Sequence, residues 1–247
     1  FTPHHVAKTI HEQFSDNKGK NVVVTGYPAM EPFMDKQYPV KDIWKEQSKK
    51  KIRIIWAPHH TIETPELPYS NFLKYYNFFQ KIALRYVNEI QWAFKPHPIL
   101  KTKLFLHPEW GKERTEAYWD FWENSSFSQL EEGEYIDLFL TSDAMIHDSC
   151  SFLVEYMHVC KPVLYLNSCE NIQGFFNSFG HLALNACEHA CSTGDIENFI
   201  KQRLENIDLG RSKREDFLEK NIFPLFNHQY PSAQIIEIIK KDFSTVL

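Results

Sequence analysis

Two serine hydroxyls lie in a short turn between an apolar segment and a helical one. Ala144–His147 predicts a buried strand, and Phe152–Val159 has the composition of a helix. Between them, the turn Asp148-Ser149-Cys150-Ser151 places small polar side chains beside the free N–H groups of the first helical turn. Because a helix dipole is positive at its N-terminus, such a turn binds anions. The segment therefore predicts a phosphate site, with a nucleotide diphosphate as the leading ligand.

Two further polar turns follow predicted strands. Lys51–Trp56 is a strand-like segment that leads into the turn Pro58–His60. Gln91–Lys95 is a second one, and it leads into the turn Pro96–Pro98, which contains His97. Because the carboxyl ends of parallel strands meet at one edge of a sheet, we expect these turns to converge with the serine turn. A ligand site is therefore predicted at that edge.

The segments between these strands predict helices. Phe72, Tyr75, Phe79 and Ile82 recur at helical spacing within Tyr69–Asn88. Further helices are predicted at residues 1–18, 99–106, 115–123, 134–140, 195–206, 211–221 and 232–243, with a short one near Val40–Glu46. Asn21–Thr25 and Pro162–Leu166 are the remaining predicted strands, and residues 167–194 have no assignment. Strands that alternate with helices predict an α/β fold, a parallel sheet with helices on both faces.

The composition is that of an ordinary globular protein. The 247 residues are 43% hydrophobic and carry a net charge of −5, which argues against nucleic acid, because phosphates demand a basic face. The basic run Lys49–Arg53 is interpreted as a solvated approach to a strand, with an anionic membrane or acceptor as the alternative contact. Five cysteines without a paired framework, and no apolar run of bilayer length, predict a cytoplasmic location.

One segment has the residue types of a metal site. Cys187-Glu188-His189-Ala190-Cys191 offers three ligand types within five residues. A structural zinc site usually takes four ligands, commonly as two separated pairs, and the sequence has no second pair. The segment is therefore predicted to bind no metal.

Five short motifs occur in order between residues 20 and 167. They are Gly26-Tyr27-Pro28, Ile55-Trp56-Ala57-Pro58, Lys95-Pro96-His97-Pro98, Ser142-Asp143 with Asp148-Ser149-Cys150-Ser151, and Glu155-Tyr156 with Lys161-Pro162. In this order they resemble motifs of the C-terminal half of the CDP-glycerol glycerophosphotransferase family. Those enzymes make teichoic-acid-like and capsular polymers of the bacterial cell envelope. Where the family has Tyr-Ser-Ser, this chain has Ser149-Cys150-Ser151, so Ser151 keeps its place.

The resemblance implies a GT-B fold, of which this chain is the Rossmann-like C-terminal half. It implies a connection from an N-terminal acceptor half (residues 1–30), a nucleotide-donor-binding domain (31–225) and a C-terminal helix that packs back toward the partner half (226–247). The implied enzyme transfers glycerol phosphate, a related alditol phosphate or a sugar from a CDP-linked donor to a polysaccharide or lipid-linked acceptor. It needs no cofactor and no metal, and it contacts the inner face of the cytoplasmic membrane peripherally.

The resemblance also implies roles for individual residues. His97 faces the donor diphosphate as the catalytic residue, donating a hydrogen bond or offsetting charge on the leaving nucleotide. Ser149 and Ser151 cradle the diphosphate, although plain N-capping of the helix is the alternative for both.

The remaining implied donor-site residues flank these three. Glu155 lies one helical turn after Ser151 and accepts the ribose hydroxyls. Asp148 caps the helix or orients a neighbouring donor, because a carboxylate repels phosphate. Pro58 and His59 lie at the same sheet edge, where His59 or His60 approaches the transferred group.

Two other functions remain open. One is a nucleotide-sugar glycosyltransferase or UDP-sugar 2-epimerase of the same architecture, for which UDP or CMP would bind better than CDP. The other is a nucleotide-binding module without catalysis.

Overall fold

The computed structural model describes residues 1–226 and 229–244, and its centre is a parallel sheet of six strands. The strands are β1 (Ile52–Ala57), β2 (Ile90–Phe94), β3 (Ser128–Leu130), β4 (Ala144–His147), β5 (Val163–Leu166) and β6 (Glu188–Ala190). Their order across the sheet is β3-β2-β1-β4-β5-β6, and every neighbouring pair is parallel. From β1 the chain adds β2 and β3 on one side, and it then returns to add β4, β5 and β6 on the other side. The boundary between β1 and β4 is therefore the switch point, where ligands bind in open α/β sheets.

Alternate residues of each strand face opposite sides of the sheet and enter two separate cores. Trp56 of β1 and Phe94 of β2 belong to one core, whereas Ile55 and Ala93, their chain neighbours, belong to the other. All four are fully buried. Burial on both faces explains why these strands are mainly apolar, with Arg53 and Gln91 as the polar exceptions.

Twelve α-helices lie within the described residues, and helices cover both faces of the sheet. The helices are α1 (His5–Phe14), α2 (Glu31–Met34), α3 (Phe72–Arg85), α4 (Pro98–Leu106), α5 (Gly111–Asn124), α6 (Ile136–Thr141), α7 (Phe152–Glu155), α8 (Ser178–Ala186), α9 (Thr193–Leu204), α10 (Arg211–Phe217), α11 (Phe223–Phe226) and α12 (Pro231–Ser244). Side chains of α3, α4, α5 and α9 fill one core, and those of α6, α7, α8 and α10 fill the other. The predicted α/β architecture, a Rossmann-like parallel sheet between helical layers, is confirmed.

Several predicted elements were wrong. Asn21–Thr25 is no strand of the sheet, since only Val24 forms an isolated bridge, to Thr2. Residues 40–46 form no helix. The sequence reading missed β3, β6 and α8. The two strands are three residues long and partly polar, so neither shows the apolar alternation that identifies a strand.

The C-terminal helix packs on the N-terminal region of the same chain. The Ser232 N–H and hydroxyl donate to the Glu31 carboxylate at 2.6 and 2.9 Å. Of the predicted C-terminal unit 226–247, residues 227–228 and 245–247 lie outside the described residues, and its packing toward a partner half stays a prediction. None of the described helices is both long and apolar enough to cross a membrane.

Candidate functional site

The turns after β1 and β2 meet at the carboxyl edge of the sheet, as predicted. The His97 N–H donates to the Pro58 carbonyl at 3.0 Å, which ties the two turns together. The ring centroids of His60 and His97 are 4.1 Å apart, and those of His59 and His60 are 4.4 Å apart. Three imidazoles from two separate turns therefore form one cluster beside the switch point, which we call the histidine cluster (His59, His60 and His97).

His97 has a defined orientation because it begins a helix. It is the N-cap of α4, and its Nδ1 accepts a hydrogen bond from the Ile99 N–H at 3.2 Å. Since Nδ1 accepts, the proton of the neutral ring lies on Nε2. Desolvation, with smaller effects of His60 and Lys103, lowers the pKa of His97 to about 4. Near neutral pH, His97 is thus a neutral hydrogen-bond donor through Nε2.

A cleft of about 270 Å³ opens beside His97 at the carboxyl ends of the strands. Its lining combines polar groups from all three turns with a wall from the loop before α6; the residues are Ala57, Pro58, Lys95, Pro96, His97, Pro98, Glu132, Gly133, Tyr135, Ser149, Ser151, Phe152 and Glu155. The structure therefore brings Pro58, His97, Ser149, Ser151 and Glu155, all predicted from sequence, to one cavity.

The serine turn differs from the expected phosphate-binding helix start. The predicted helix Phe152–Val159 is a four-residue α-helix followed by a 3₁₀ turn, Tyr156–Val159. Because so few aligned peptides make only a small dipole, an anion here depends mainly on side chains. Ser149 Oγ lies 3.1 Å from Ser151 Oγ and 3.5 Å from the Phe152 N–H, while Ser151 makes no capping bond. The Ser151 hydroxyl, which is exposed, therefore remains able to bind a ligand.

Glu155 separates the cleft from a second cavity of about 250 Å³. That cavity is walled by the first motif, through Gly26 and Tyr27, and by Cys150 and Ser151. Burial raises the pKa of Glu155, and a hydrogen bond from Tyr135 partly offsets this shift. The carboxyl group therefore lies where both cavities reach it, half-buried and held by one hydroxyl.

Asp148 is a buried structural residue, which corrects the expectation that it caps the helix. Its side chain is fully buried and does not cap α7. Its two carboxylate oxygens accept hydrogen bonds from the His59 N–H at 2.6 Å and the Asn71 N–H at 2.5 Å. Asp148 thereby fastens the turn after β1 and the start of α3 to the end of β4, and it positions the histidine cluster without facing the cleft.

Three of the motif residues form the framework instead of the site. Lys161 Nζ donates to the carbonyls of Leu140 and Ser142, both at 2.6 Å, at the C-terminal end of α6. The Tyr156 hydroxyl lies 2.8 Å from Ser142 Oγ, and both side chains are buried. These contacts hold α6 and the segment after α7 together, so they shape the cleft only indirectly.

Sequence reasoning missed Lys95, which lines the cleft, and Asn71, which ties the start of α3 to the end of β5. Lys95 Nζ donates to the Gly133 carbonyl at 2.6 Å and so fixes the loop that forms one wall. Burial lowers the pKa of this lysine, with Glu131 acting in the opposite direction. Asn71 donates from Nδ2 to the Leu166 carbonyl at 2.9 Å. Lys95 is the first residue of the Lys-Pro-His-Pro motif, so its signal was present in the sequence, whereas Asn71 has none.

The Cys187–Cys191 segment shows no arrangement of metal ligands. Cys187 is buried, Cys191 is exposed, and both ring nitrogens of His189 lie within hydrogen-bond distance of Asn167 Oδ1 or the Leu184 carbonyl. Among the described residues, the group whose side chains could jointly bind a metal is the histidine cluster.

Acidification is expected to destabilise the protein through His147. This residue is fully buried, and burial lowers the pKa of its imidazole to about 3, below the ordinary 6.5. The unfolded chain therefore binds one more proton than the folded chain between these values, which costs about 1.4 kcal/mol per pH unit. Urea unfolding at pH 7 and pH 5 should show a smaller acid-induced loss for His147→Gln than for wild type.

Asp148 has the opposite effect on the pH dependence of stability, and its variant supplies the control. Burial raises the pKa of its carboxyl to about 7, so the stability that the neutral form contributes is present at low pH and lost as pH rises through 7. Asp148→Asn, which does not titrate, should therefore lose more stability on acidification than wild type. If the free energy of unfolding depended equally on pH in wild type and in His147→Gln, the predicted effect of His147 would be contradicted.

No protein-family model matches the sequence, and no curated protein matches it either. Solved structures do match. The wall teichoic acid polymerase TagF aligns with a TM-score of 0.57 and 16% identity, over 100% of this chain and 58% of that one. UDP-GlcNAc 2-epimerase from Neisseria meningitidis, bound to UDP-GlcNAc, aligns with a TM-score of 0.53 and 17% identity, over 98% of this chain and 61% of that one. The S. aureus MnaA–UDP structure aligns with a TM-score of 0.54 and 16% identity, over 99% of this chain and 59% of that one.

These similarities concern the fold. The neighbours are GT-B enzymes, and the present chain has the Rossmann-like architecture of one half of that fold. It spans about three fifths of the length of these structures.

Proposed function

We propose that this chain is the donor-binding half of a GT-B transferase that uses a CDP-linked donor. The observation that carries the proposal is the cleft at the switch point, where the Nε2–H of His97, the hydroxyls of Ser149 and Ser151 and the carboxyl of Glu155 line one cavity. Donors for phosphate and an acceptor for ribose in a single cleft are the combination that a nucleotide diphosphate requires.

The proposed pose follows from the chemistry of the walls. The diphosphate lies between His97 and the serine turn, where the Ser151 hydroxyl and the His97 Nε2–H are donors. The ribose lies against Glu155, whose ionised carboxylate only accepts hydrogen bonds. The nucleobase lies toward Gly133 and Tyr135, which form the outer wall of the same cleft.

The proposed reaction is attack of an acceptor hydroxyl on the donor phosphorus that carries the glycerol. The new phosphorus–oxygen bond forms as the bond to CMP breaks, and CMP leaves with the bonding electron pair. Negative charge then grows on the departing phosphate, where the His97 Nε2–H donates a hydrogen bond. The base that takes the acceptor proton is assigned to the N-terminal half of the enzyme, as are the contacts to a polysaccharide or lipid-linked acceptor.

The identity of the donor divides this proposal from its alternative. The alignment with TagF favours CDP-glycerol, in agreement with the five sequence motifs. UDP-GlcNAc 2-epimerases align about equally well and favour a UDP-sugar as the second candidate. A cytoplasmic enzyme with peripheral membrane contact fits the first candidate, because the proposed polymers grow on lipid carriers.

Calorimetric titration with CDP, CMP, UDP and CDP-glycerol tests the proposal. We expect CDP and CDP-glycerol to bind more tightly than UDP or CMP. His97→Ala and Ser151→Ala should each weaken CDP binding by about 10-fold or more, since a hydrogen bond to a charged group contributes about 1.5–3 kcal/mol.

Two exposed residues remote from the cleft provide matched controls. His11→Ala and Ser212→Ala remove the same residue types from helix surfaces and should leave CDP affinity unchanged. A preference for UDP would favour a sugar transferase or epimerase. Absence of binding for all four nucleotides would contradict the proposal.

A further inference from the structure

The nitrogen atoms of the histidine cluster are close enough to share one ion. One ring nitrogen from each of His59, His60 and His97 lies within 4.8 Å of the others. A tetrahedral zinc ion binds imidazole nitrogens at about 2.0–2.1 Å, which places its ligand atoms about 3.3–3.4 Å apart. Side-chain rotations that shorten the nitrogen separations by up to about 1.4 Å are therefore needed to bind one ion. The rings are tilted or edge-on to one another, with interplanar angles of 36°, 50° and 70°.

One of the three rings, His59, already has the hydrogen bonding of a metal ligand. His59 Nδ1 lies 3.0 Å from the buried Thr61 hydroxyl, so that Nε2 is left for the ion. Metal-binding histidines commonly fix their second nitrogen in this way. His60 Nδ1 is a buried polar atom without a hydrogen-bond partner among the described residues. An unpaired buried nitrogen is unfavourable, and a bound ion would remove that penalty.

His97 needs one rearrangement to become the third ligand. Its Nδ1 accepts the Ile99 N–H, which places the proton on Nε2. Binding through Nε2 requires the proton to move to Nδ1, so the N-cap bond is lost. That loss is small beside the affinity of three imidazoles for zinc.

The electrostatics of the cluster both favour and oppose a cation. Burial keeps the imidazoles neutral by lowering the pKa of His59 to about 3 and that of His60 below its usual value, and neutral imidazole is the form that binds metal. The Lys103 ammonium group is near enough to lower the same pKa values, and it therefore also disfavours a bound cation. Imidazole-rich sites suit zinc and its neighbours in the first transition row, which form strong bonds to neutral nitrogen.

We propose that His59, His60 and His97 form a binding site for one Zn²⁺-type ion, with an open fourth position toward the cleft. Three protein ligands and an open position are the arrangement of catalytic zinc sites. The identification of the ion rests on the three side chains alone. Zinc binding through Nε2 removes the Nε2–H that donates to the donor phosphate in the proposed function, so the two states of His97 exclude each other, and the fourth ligand is water.

Titration of the untagged chain with Zn²⁺, and separately with Co²⁺, tests the site. We expect one equivalent to bind, and the Co²⁺ form should show the intense visible absorption of a four-coordinate ion. His59→Ala and His60→Ala should abolish this absorption at the same concentrations. Thr61→Val removes the hydroxyl that orients His59. It should weaken Zn²⁺ binding by about 10-fold, as loss of the hydrogen-bond partner of a metal ligand commonly does.

The controls separate this site from other ligands and from the proposed function. His11→Ala, on the exposed face of α1, should bind Zn²⁺ like wild type. Circular dichroism of each variant checks that it is folded. The site would be refuted if wild type bound no ion at micromolar concentration, or if the His60→Ala variant bound as tightly as wild type. CDP titration in the presence of a chelator tests nucleotide binding independently of the metal.

Discussion

Asp148→Ala is expected to lower the free energy of unfolding by about 2–5 kcal/mol, because two buried N–H donors lose their acceptor and each costs about 1–3 kcal/mol. The donors are the N–H groups of His59 and Asn71, and the Asp148 side chain is fully buried. Burial raises the pKa of the Asp148 carboxyl, so the wild-type protein already bears a cost for burying this group. Removing the carboxyl relieves that cost and offsets part of the lost stability, so the loss should not exceed about 5 kcal/mol. Urea unfolding of wild type and variant at pH 7 measures the difference.

Asp143→Ala is the matched control for this prediction. Asp143 makes the same type of bond at the opposite end of β4, where its carboxylate accepts the Arg53 N–H at 2.8 Å, but this contact is exposed. Water replaces the lost acceptor, so the change should be below about 1 kcal/mol. Equal losses for Asp148→Ala and Asp143→Ala would show that burial is not the cause. The Asp148→Ala variant should also lose CDP affinity, because the turn that carries His59 is no longer fixed.

Glu155→Ala is expected to weaken CDP binding by about 10- to 100-fold, since hydrogen bonds to a charged acceptor contribute about 1.5–3 kcal/mol. Glu155 is half-buried at the boundary of the two cavities and carries an accepting carboxyl group. If that group binds the ribose, wild type should also discriminate against 2′-deoxy-CDP. The variant should bind CDP and 2′-deoxy-CDP almost equally.

Calorimetry with both nucleotides and both proteins gives a coupling energy between the carboxylate and the 2′-hydroxyl. Glu134→Ala removes the same charge from an exposed neighbouring position that does not line the cleft, and it should preserve the discrimination. Tyr135→Phe should have a small effect, because it removes the hydroxyl that contacts Glu155 but keeps the cleft wall. A loss of equal size for CDP and its deoxy analogue would exclude the ribose contact.

Much of the architecture could be predicted because the apolar runs are local signals. Lys51–Trp56 and Gln91–Lys95 were predicted as strands, and the structure has Ile52–Ala57 and Ile90–Phe94. Both strands are buried on both faces along most of their length, so their sequence is mainly apolar and easily recognised. The three-residue strands β3 and β6 were missed, because their pairing, at the edges of the sheet, depends on neighbours distant in the sequence.

The helix Phe152–Val159 shows the limit of local signals. Its apolar residues indicated a helix correctly, but the change to a 3₁₀ turn after Glu155 is not encoded by any breaker. Cys160, in the left-handed region at φ 52°, ends the segment where glycine would be usual. The helix dipole therefore contributes less to anion binding at this turn than the sequence predicted, and the side chains of the turn contribute more.

By itself, the sequence determined that strands alternate with helices and that polar turns close three of the strands, because apolar periodicity and turn residues act over a few positions. Only the tertiary structure decided which turns meet. It placed β1 beside β4, buried Asp148 beneath the turn of His59, and brought His97 to the other two histidines. These contacts join residues far apart in the chain, and their partners are chosen by strand order and burial, which no local pattern specifies.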